Sequence, residues 1–282
     1  MDKFALQIIR GEEVSDSILT ECATLFSHHY ATWNTEADKI SQGKLTAGTL
    51  DVPFHRANAK GTRVKASPSF LKRQYICADT VLAIVQTGGV IVGYGIATVR
   101  TDVEVFKGFH ICRQLILLGK VMWITQLVVH RDHRGQGYAS TLLRALITSQ
   151  NPLVVGVASS HPHGILALKR ASRSLFDEDF IKAHVTRIYT ICNITYLANK
   201  PLVGSMFGTI PHVDKTTPKA LINSDFHTDH HEPLEALINL PLDVQWPLGP
   251  LLEGHEFIVV FEAGTNRTRT SGDSGRTGSV VG

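Results

Sequence analysis

Between residues 123 and 150 the pattern of apolar and polar positions changes twice. Trp123–Val129 is almost continuously apolar, and β-branched Ile124, Thr125, Val128 and Val129 favour extended backbone, which predicts a buried strand. His130–Gly137 is charged and holds Gly135 and Gly137, so it suits neither a strand nor a helix interior. From there Ala139, Leu142, Leu143, Leu146 and Ile147 recur every three or four positions, the apolar face of a helix that Asn151-Pro152 ends.

Similar reading carries through the rest of the chain. Phe4–Ile9 is a short strand closed by Gly11, and Ser15 or Asp16 caps a helix reaching about Trp33. Its expected inner face is Ile18, Cys22, Leu25, Phe26, His29 and Trp33. Residues 34–65 are polar and glycine-dotted, a loop with room for a short helix. Ser67-Pro68 opens a helix to about Tyr75. Thr80–Gln86 and Val90–Val99 flank Gly88-Gly89 as a hairpin. Asp102–Lys120 fits either a helix or an extended hairpin arm. Leu153–Ala158 is a buried strand, Gly164 to about Leu175 a helix, Val185–Cys192 a strand, and Glu256–Phe261 the best last strand. Residues 263–282, rich in Gly, Ser, Thr and Arg, are expected to be disordered.

Composition narrows the classes. A chain of 282 residues that is 43% hydrophobic can bury a full core, and a net charge of +3 with no basic run gives no nucleic-acid signature. The charged start MDKFALQIIRGEE lacks a signal core, and Leu115–Val129, broken by Lys120, is too short to span a bilayer. An intracellular, cytoplasmic protein without a membrane partner is expected. Cysteines 22, 77, 112 and 192 are scattered in apolar contexts, which points to buried free thiols.

A glycine loop between a strand and a helix start is an anion site in waiting, because the first-turn amides have no partner inside the helix. A Walker loop would need Gly-Lys-Ser/Thr, which Gly137-Tyr138-Ala139 does not supply. A dinucleotide loop would turn directly off its strand, whereas His130–Arg134 intervene, and Leu153–Ala158 lacks the acidic residue that binds a ribose. Arg134-Gly135-Gln136-Gly137-Tyr138-Ala139 matches R-x-x-G-x-G/A, and with Leu127–Arg131 before it and Leu142-Leu143 after it the segment resembles motif A of the GNAT N-acetyltransferases. The resemblance is firm over about Trp123–Ala171 and topological over Phe4–Val99.

The resemblance implies an α/β GNAT acyl-CoA N-acyltransferase fold, a mixed twisted sheet flanked by helices. It implies one domain over residues 1–262, with the acyl-CoA motif at 123–171 and an insertion at about 193–255 before the last strand. Acetyl-CoA is the implied co-substrate and an amine of a small molecule or protein the implied acceptor, attacking directly in a ternary complex. By resemblance, backbone of Leu127, Val128 and Val129 holds the acyl and pantetheine arms, while Arg134, Gly135, Gln136, Gly137, Tyr138 and Ala139 hold the pyrophosphate. The long 34–65 segment borders the acceptor pocket in the family.

Two departures bear on the chemistry. Where many members carry a tyrosine that reprotonates the thiolate, this chain has Leu168, with His161 at the usual Asn position. Val121–Val129 also contains no carboxylate to serve as base. The candidates left for proton transfer are His161 and His163, at a strand-to-helix switch, and Thr125, which with Gln126 could orient a water. Helix capping is the commoner use of polar residues in the first setting, and strand packing in the second. Both departures also suit a non-catalytic acyl-CoA sensor on the same fold. Asp225–Glu232 has the residue types of a metal site but is expected to be a solvated polar loop, and no metal is expected.

Overall fold

The structure, a computed structural model, describes residues 4–34, 60–107, 115–214 and 216–263. One eight-stranded sheet organises it, in the order β1-β2-β3-β4-β5-β8-β7-β6. β1 (Phe4–Arg10), β2 (Thr80–Thr87), β3 (Val90–Lys107) and β4 (Leu115–Val129) pair antiparallel in sequence. β5 (Val154–Ser159) then joins β4 in parallel, and β8 (His255–Glu262) pairs antiparallel with β5. β3 and β4 continue into a long two-stranded arm, so of the two readings of Asp102–Lys120 the extended one holds where the chain is described.

Helices cover both faces. α1 (Asp16–His29), capped by Ser15, and α2 (Pro68–Tyr75), capped by Ser67, lie over β2–β4 with Leu19, Cys22, Phe26, Phe70 and Leu71 buried against Leu82, Ile84, Tyr94 and Ile96. α3 (Tyr138–Gln150) and α4 (Pro162–Ser172) pack together on the opposite face. There Leu142 and Leu146 sit over Gly93 and Gly95, whose missing side chains let the helix approach.

The largest correction is α5 (Glu178–Ile191), which lies where a strand at Val185–Cys192 is expected. Val185, Thr186 and Ile188 look strand-like locally, but Ile181, Val185, Ile188, Tyr189 and Cys192 are buried along one helical face. Asp177 caps the start, accepting from Phe180 N–H, with Glu178 and Asp179 in the first turn, where they favour the helix dipole. Tertiary packing overrides β-propensity here.

The segment between α5 and β8 extends the sheet. β7 (Leu221–Asn223) pairs with β8, and β6 (Leu202–Val203) pairs with β7. α6 (His231–Ile238) follows. Cys22 and Cys192 are buried free thiols whose pKa burial raises to about 12, whereas Cys77 is exposed, contrary to expectation, because it lies in the turn after α2. Cys112, most of the 34–65 loop and the 264–282 tail lie outside the described residues. No helix among the described residues is long and apolar enough to cross a membrane.

Candidate functional site

The sheet opens between β4 and β5. Their parallel ladder runs from Val121↔Val154 to Ile124↔Val157 and stops. At that level the register of β4 on β3 also shifts, from Ala97↔Ile124 to Ile96↔Gln126, which leaves Thr125 as the extra residue of a bulge. A bulge bends its strand and increases twist, and here it turns the last residues of β4 away from β5. The Thr125 hydroxyl donates to Ile96 O at 3.1 Å, which ties it to the backbone of the bulge.

Beyond the bulge one edge of β4 is free. His130 N–H donates to Val92 O at 2.8 Å, so strand alternation points the polar groups of Val128 toward β3 and those of Leu127 and Val129 into the split. Val128 is buried on the α1 side, while Leu127 and Val129 are partly exposed on the α3 side.

The glycine loop follows at once. Gly135 and Gly137 have φ of +75° and +85°, left-handed values that L side chains resist, and a Cβ at either would meet nothing within 4 Å. The first helical bond of α3 is Thr141 N–H to Gly137 O at 3.0 Å, and Gly137 offers no side-chain cap. The backbone N–H groups from Gly135 to Ser140 therefore have no acceptor among the described residues. Open space above unpartnered amides at a helix start is the local requirement for a phosphate. Tyr138 is buried against Phe4, and Gln136 donates to Asp132 O, so neither side chain reaches into that space.

Arg134 is differently placed from the rest of the loop. Its guanidinium donates to Val129 O, to His29 O and to the carboxylate of Glu232, at the start of α6. Glu232 also lies 3.7 Å from His161 Nε2. The His161 ring at that distance, and then the Arg134 guanidinium, hold the Glu232 carboxyl down to about 2 against its partial burial.

His161 is the N-cap of α4, its Nδ1 accepting from His163 N–H at 3.2 Å, and the two rings lie 5.1 Å apart. Burial, then the neighbouring His161 and Arg170, lower the His163 pKa, with Glu232 opposing them. The shift favours the neutral imidazole. Leu168, at the position of the family's tyrosine, is 1% exposed in the core. It can donate nothing.

The polar 225–232 stretch corrects another expectation. It is solvated only in part: Asp225, Asp229, His231 and Glu232 are exposed, while Thr228 and His230 are buried where its backbone is bonded to the end of α1. Asp229 N–H donates to Thr32 O at 2.8 Å, Asn34 N–H to His227 O at 3.2 Å, and Phe226 packs on Trp33 and Tyr30. The insertion thus meets the glycine loop and the C-terminal end of α1 together.

Sequence reading missed a second cluster, on the α1–α2–α5 face of the split. Gln126, the first residue after the bulge, accepts from Tyr94 O–H at 2.8 Å, and both are buried. Glu256, near the start of β8, is 8% exposed and faces the same side as Ile258 and Val260. Burial raises its pKa, with the Ser224 hydroxyl opposing the shift. Tyr30, Tyr75 and Tyr196 are partly exposed. Burial and then the Glu256 charge raise Tyr30 and Tyr196. Burial likewise takes Tyr75 to about 12, against a hydrogen bond to Gln126 and with a smaller push from Glu256. One signal was available: Glu256-Phe-Ile-Val-Val-Phe261 is a buried-strand pattern that begins with a carboxylate.

Comparison with known proteins bears on the first half of this geometry. Residues 55–149 match a family model described as the acetyltransferase (GNAT) family, a span that includes β2, β3, β4, the glycine loop and most of α3. No curated protein matches the chain by sequence. Similar solved structures include the ribosomal-protein-S18-alanine N-acetyltransferase of Escherichia coli, at 12% identity over 59% of this chain and 76% of that one, TM-score 0.32. A GNAT-family acetyltransferase from Streptococcus pneumoniae aligns at 11% identity over 61% and 86%, TM-score 0.33. An insect putative arylalkylamine N-acetyltransferase 7 from the yellow fever mosquito aligns at 12% over 66% and 80%, TM-score 0.36.

Proposed function

We propose that this chain, which has the GNAT fold and whose residues 55–149 match the GNAT acetyltransferase family model, transfers an acetyl group from acetyl-CoA to a primary amine by direct attack. The observation that carries the reading is the conjunction of a split sheet with a glycine loop. The Leu127 backbone and the Val129 N–H supply free groups at the split, the Val129 carbonyl being taken by Arg134, and the amides of Gly135 to Ala139 supply donors at its mouth. In this reading the pyrophosphate lies on those amides and the pantetheine arm runs along Leu127–Val129, leaving the thioester near the bulge at Thr125. Backbone donors in a preorganised, partly dry cleft polarise a thioester carbonyl without needing any particular side chain.

The insertion joins the same sheet through β7, which supports reading residues 1–262 as a single domain. Thr125, bonded to Ile96 O, serves the shape of the bulge in this reading and not proton transfer. His163 remains available to take or give a proton at the α4 side of the cleft. The buried Leu168 is the specific observation favouring a second reading, an acyl-CoA sensor on the same fold, since it removes the family's usual proton donor.

A thiol-release assay over a panel of amines separates the two. Amine-dependent release of CoA with an N-acetylated product supports transfer, and acetyl-CoA binding without release from any amine supports the sensor.

Glu232 gives a further expectation. Its carboxylate occupies the Arg134 guanidinium and adds negative charge beside the proposed phosphate site. Glu232→Gln is expected to tighten acetyl-CoA binding by about 3- to 10-fold at low salt, with the gain shrinking as salt screens it. Weaker binding in the variant would mean that Glu232 orients Arg134 for the cofactor.

A further inference from the structure

We infer that Glu256 is the docking group and proton acceptor for a singly charged primary amine with an apolar or aromatic body, held among Tyr30, Tyr75, Tyr196 and Trp123. The inference rests on the acetyl-transfer reading and names its acceptor side.

Glu256 lacks a cationic partner among the described residues. A buried carboxylate is ordinarily paired with a cation or fully hydrogen-bonded, because an uncompensated charge in the interior is costly. Glu256 is 8% exposed, and among the described residues no lysine, arginine or histidine pairs with it. Its one polar influence is the Ser224 hydroxyl, which is itself buried with no partner at hydrogen-bond distance. The Trp123 indole N–H is likewise buried and unpartnered, beside the Tyr196 hydroxyl. A protonated amine would supply the cation that Glu256 lacks.

Position supports the same assignment. Ile124, Val157 and Val259 stand level across β4, β5 and β8. Glu256 lies three residues from Val259 toward the end where β4 and β5 part, and Gln126 lies just past the bulge on the same face. A group at Glu256 is therefore beside the opening through which the thioester would be reached. The neighbouring side chains are aromatic: Tyr75 and Tyr196 have centroids 6.5 Å apart, and Trp123 packs edge-on against Tyr189 at 6.0 Å. Aromatic faces attract an ammonium and accommodate an apolar body.

One carboxylate compensates one charge. A polyamine or aminoglycoside would bring further ammonium groups among tyrosines with nothing to pair them, which sets the substrate class. In the reaction, the ammonium gives a proton to Glu256. The freed lone pair forms the N–C bond at the thioester carbonyl, and the C–S bond breaks with its electron pair leaving on sulfur. The second nitrogen proton passes to the thiolate, and Glu256 later returns its proton to solvent.

The test uses full-length protein, its Glu256→Gln and Glu256→Asp variants, and 2-phenylethylamine, n-hexylamine and spermidine as acceptors. Acetyl-CoA binding, measured first by calorimetry, is expected to be unchanged in both variants and also reports that they fold. The native protein is expected to prefer phenylethylamine and hexylamine over spermidine. Glu256→Gln is expected to lower kcat/KM for them by about 100-fold or more, the usual range for a lost general base, with partial recovery in Glu256→Asp. Tryptophan fluorescence follows amine binding directly to CoA-loaded protein. Full activity in Glu256→Gln, a preference for spermidine, or no amine binding by native protein would each overturn the assignment. Glu256-dependent amine binding without transfer would keep the acceptor site and overturn only the acetyl-transfer reading.

Discussion

Gly137→Val is expected to weaken acetyl-CoA binding by about 100-fold, close to 2.7 kcal/mol. Two effects act together. Gly137 holds φ of +85°, where a β-branched residue is a severe outlier, so the variant must pull the turn back toward negative φ. That rotation moves the amides of Gly137, Tyr138 and Ala139, which converge only while the left-handed turn is kept. The second effect is occupancy. A Cβ there meets nothing within 4 Å, so a valine side chain would project into the open space proposed for the pyrophosphate. Global stability should fall modestly, because the loop is exposed and outside the core. The measurement is the shift in melting temperature on adding acetyl-CoA, present in the native protein and absent in the variant. A variant that keeps the native shift would remove the loop from the binding site.

Gly156→Ala is expected to destabilise the fold by about 3 kcal/mol, the upper end of the overpacking range. Gly156 lies in β5 beside Trp123, and an added Cβ would stand 2.4 Å from two atoms of the indole ring and 3.0 Å from Val260. Trp123 is fully buried and packed against Tyr189 of α5, which hems the ring in on that side. The ring can yield only by displacing β4 or α5. Because Trp123 also lines the proposed acceptor chamber, any displaced ring should raise KM for the amine more than it alters acetyl-CoA affinity. Chemical denaturation gives the stability change. A loss under about 0.5 kcal/mol would show that β4 and β5 part more easily than their ladder implies.

What could be read from the sequence follows physical range. The strand, loop and helix at 123–150 were legible because each is encoded locally: β-branched residues, paired glycines, then an apolar face at helical spacing. α5 was misread because Val185–Cys192 is rich in β-branched and aromatic residues, and a short window hides the longer helical period that begins at Ile181. β6 and β7, of two and three residues, are too short for any periodic signal and exist only because β8 offers them an edge. The pairing of Arg134 with Glu232 joins residues 98 positions apart, so nothing near either announces it. Glu256 stands between these cases. Its burial was implied by the strand it begins, but its meaning depends on tyrosines from α1, α2 and the turn after α5.

The same pairing sets an expectation for acid stability. Glu232 is held near 2 in the folded protein, below the ordinary glutamate value, so its contribution is fully present above that value and is lost as pH falls through about 2. Half of its side chain is exposed, so solvent screening keeps the contribution small. Glu256 has the opposite sign. Its raised pKa means that the folded state holds a proton the unfolded chain releases, and stability falls as pH rises past the ordinary glutamate value toward the folded one. A site that weakens its own fold until a cation arrives is consistent with a binding role.

The most direct test of the central claim is calorimetric titration of the native protein with acetyl-CoA. The predicted result is saturable binding of one acetyl-CoA per chain, weakened as salt is raised because much of the affinity comes from phosphate on backbone amides. Absence of binding at millimolar acetyl-CoA would contradict the account at its base, leaving the split sheet and glycine loop as structure without the proposed ligand.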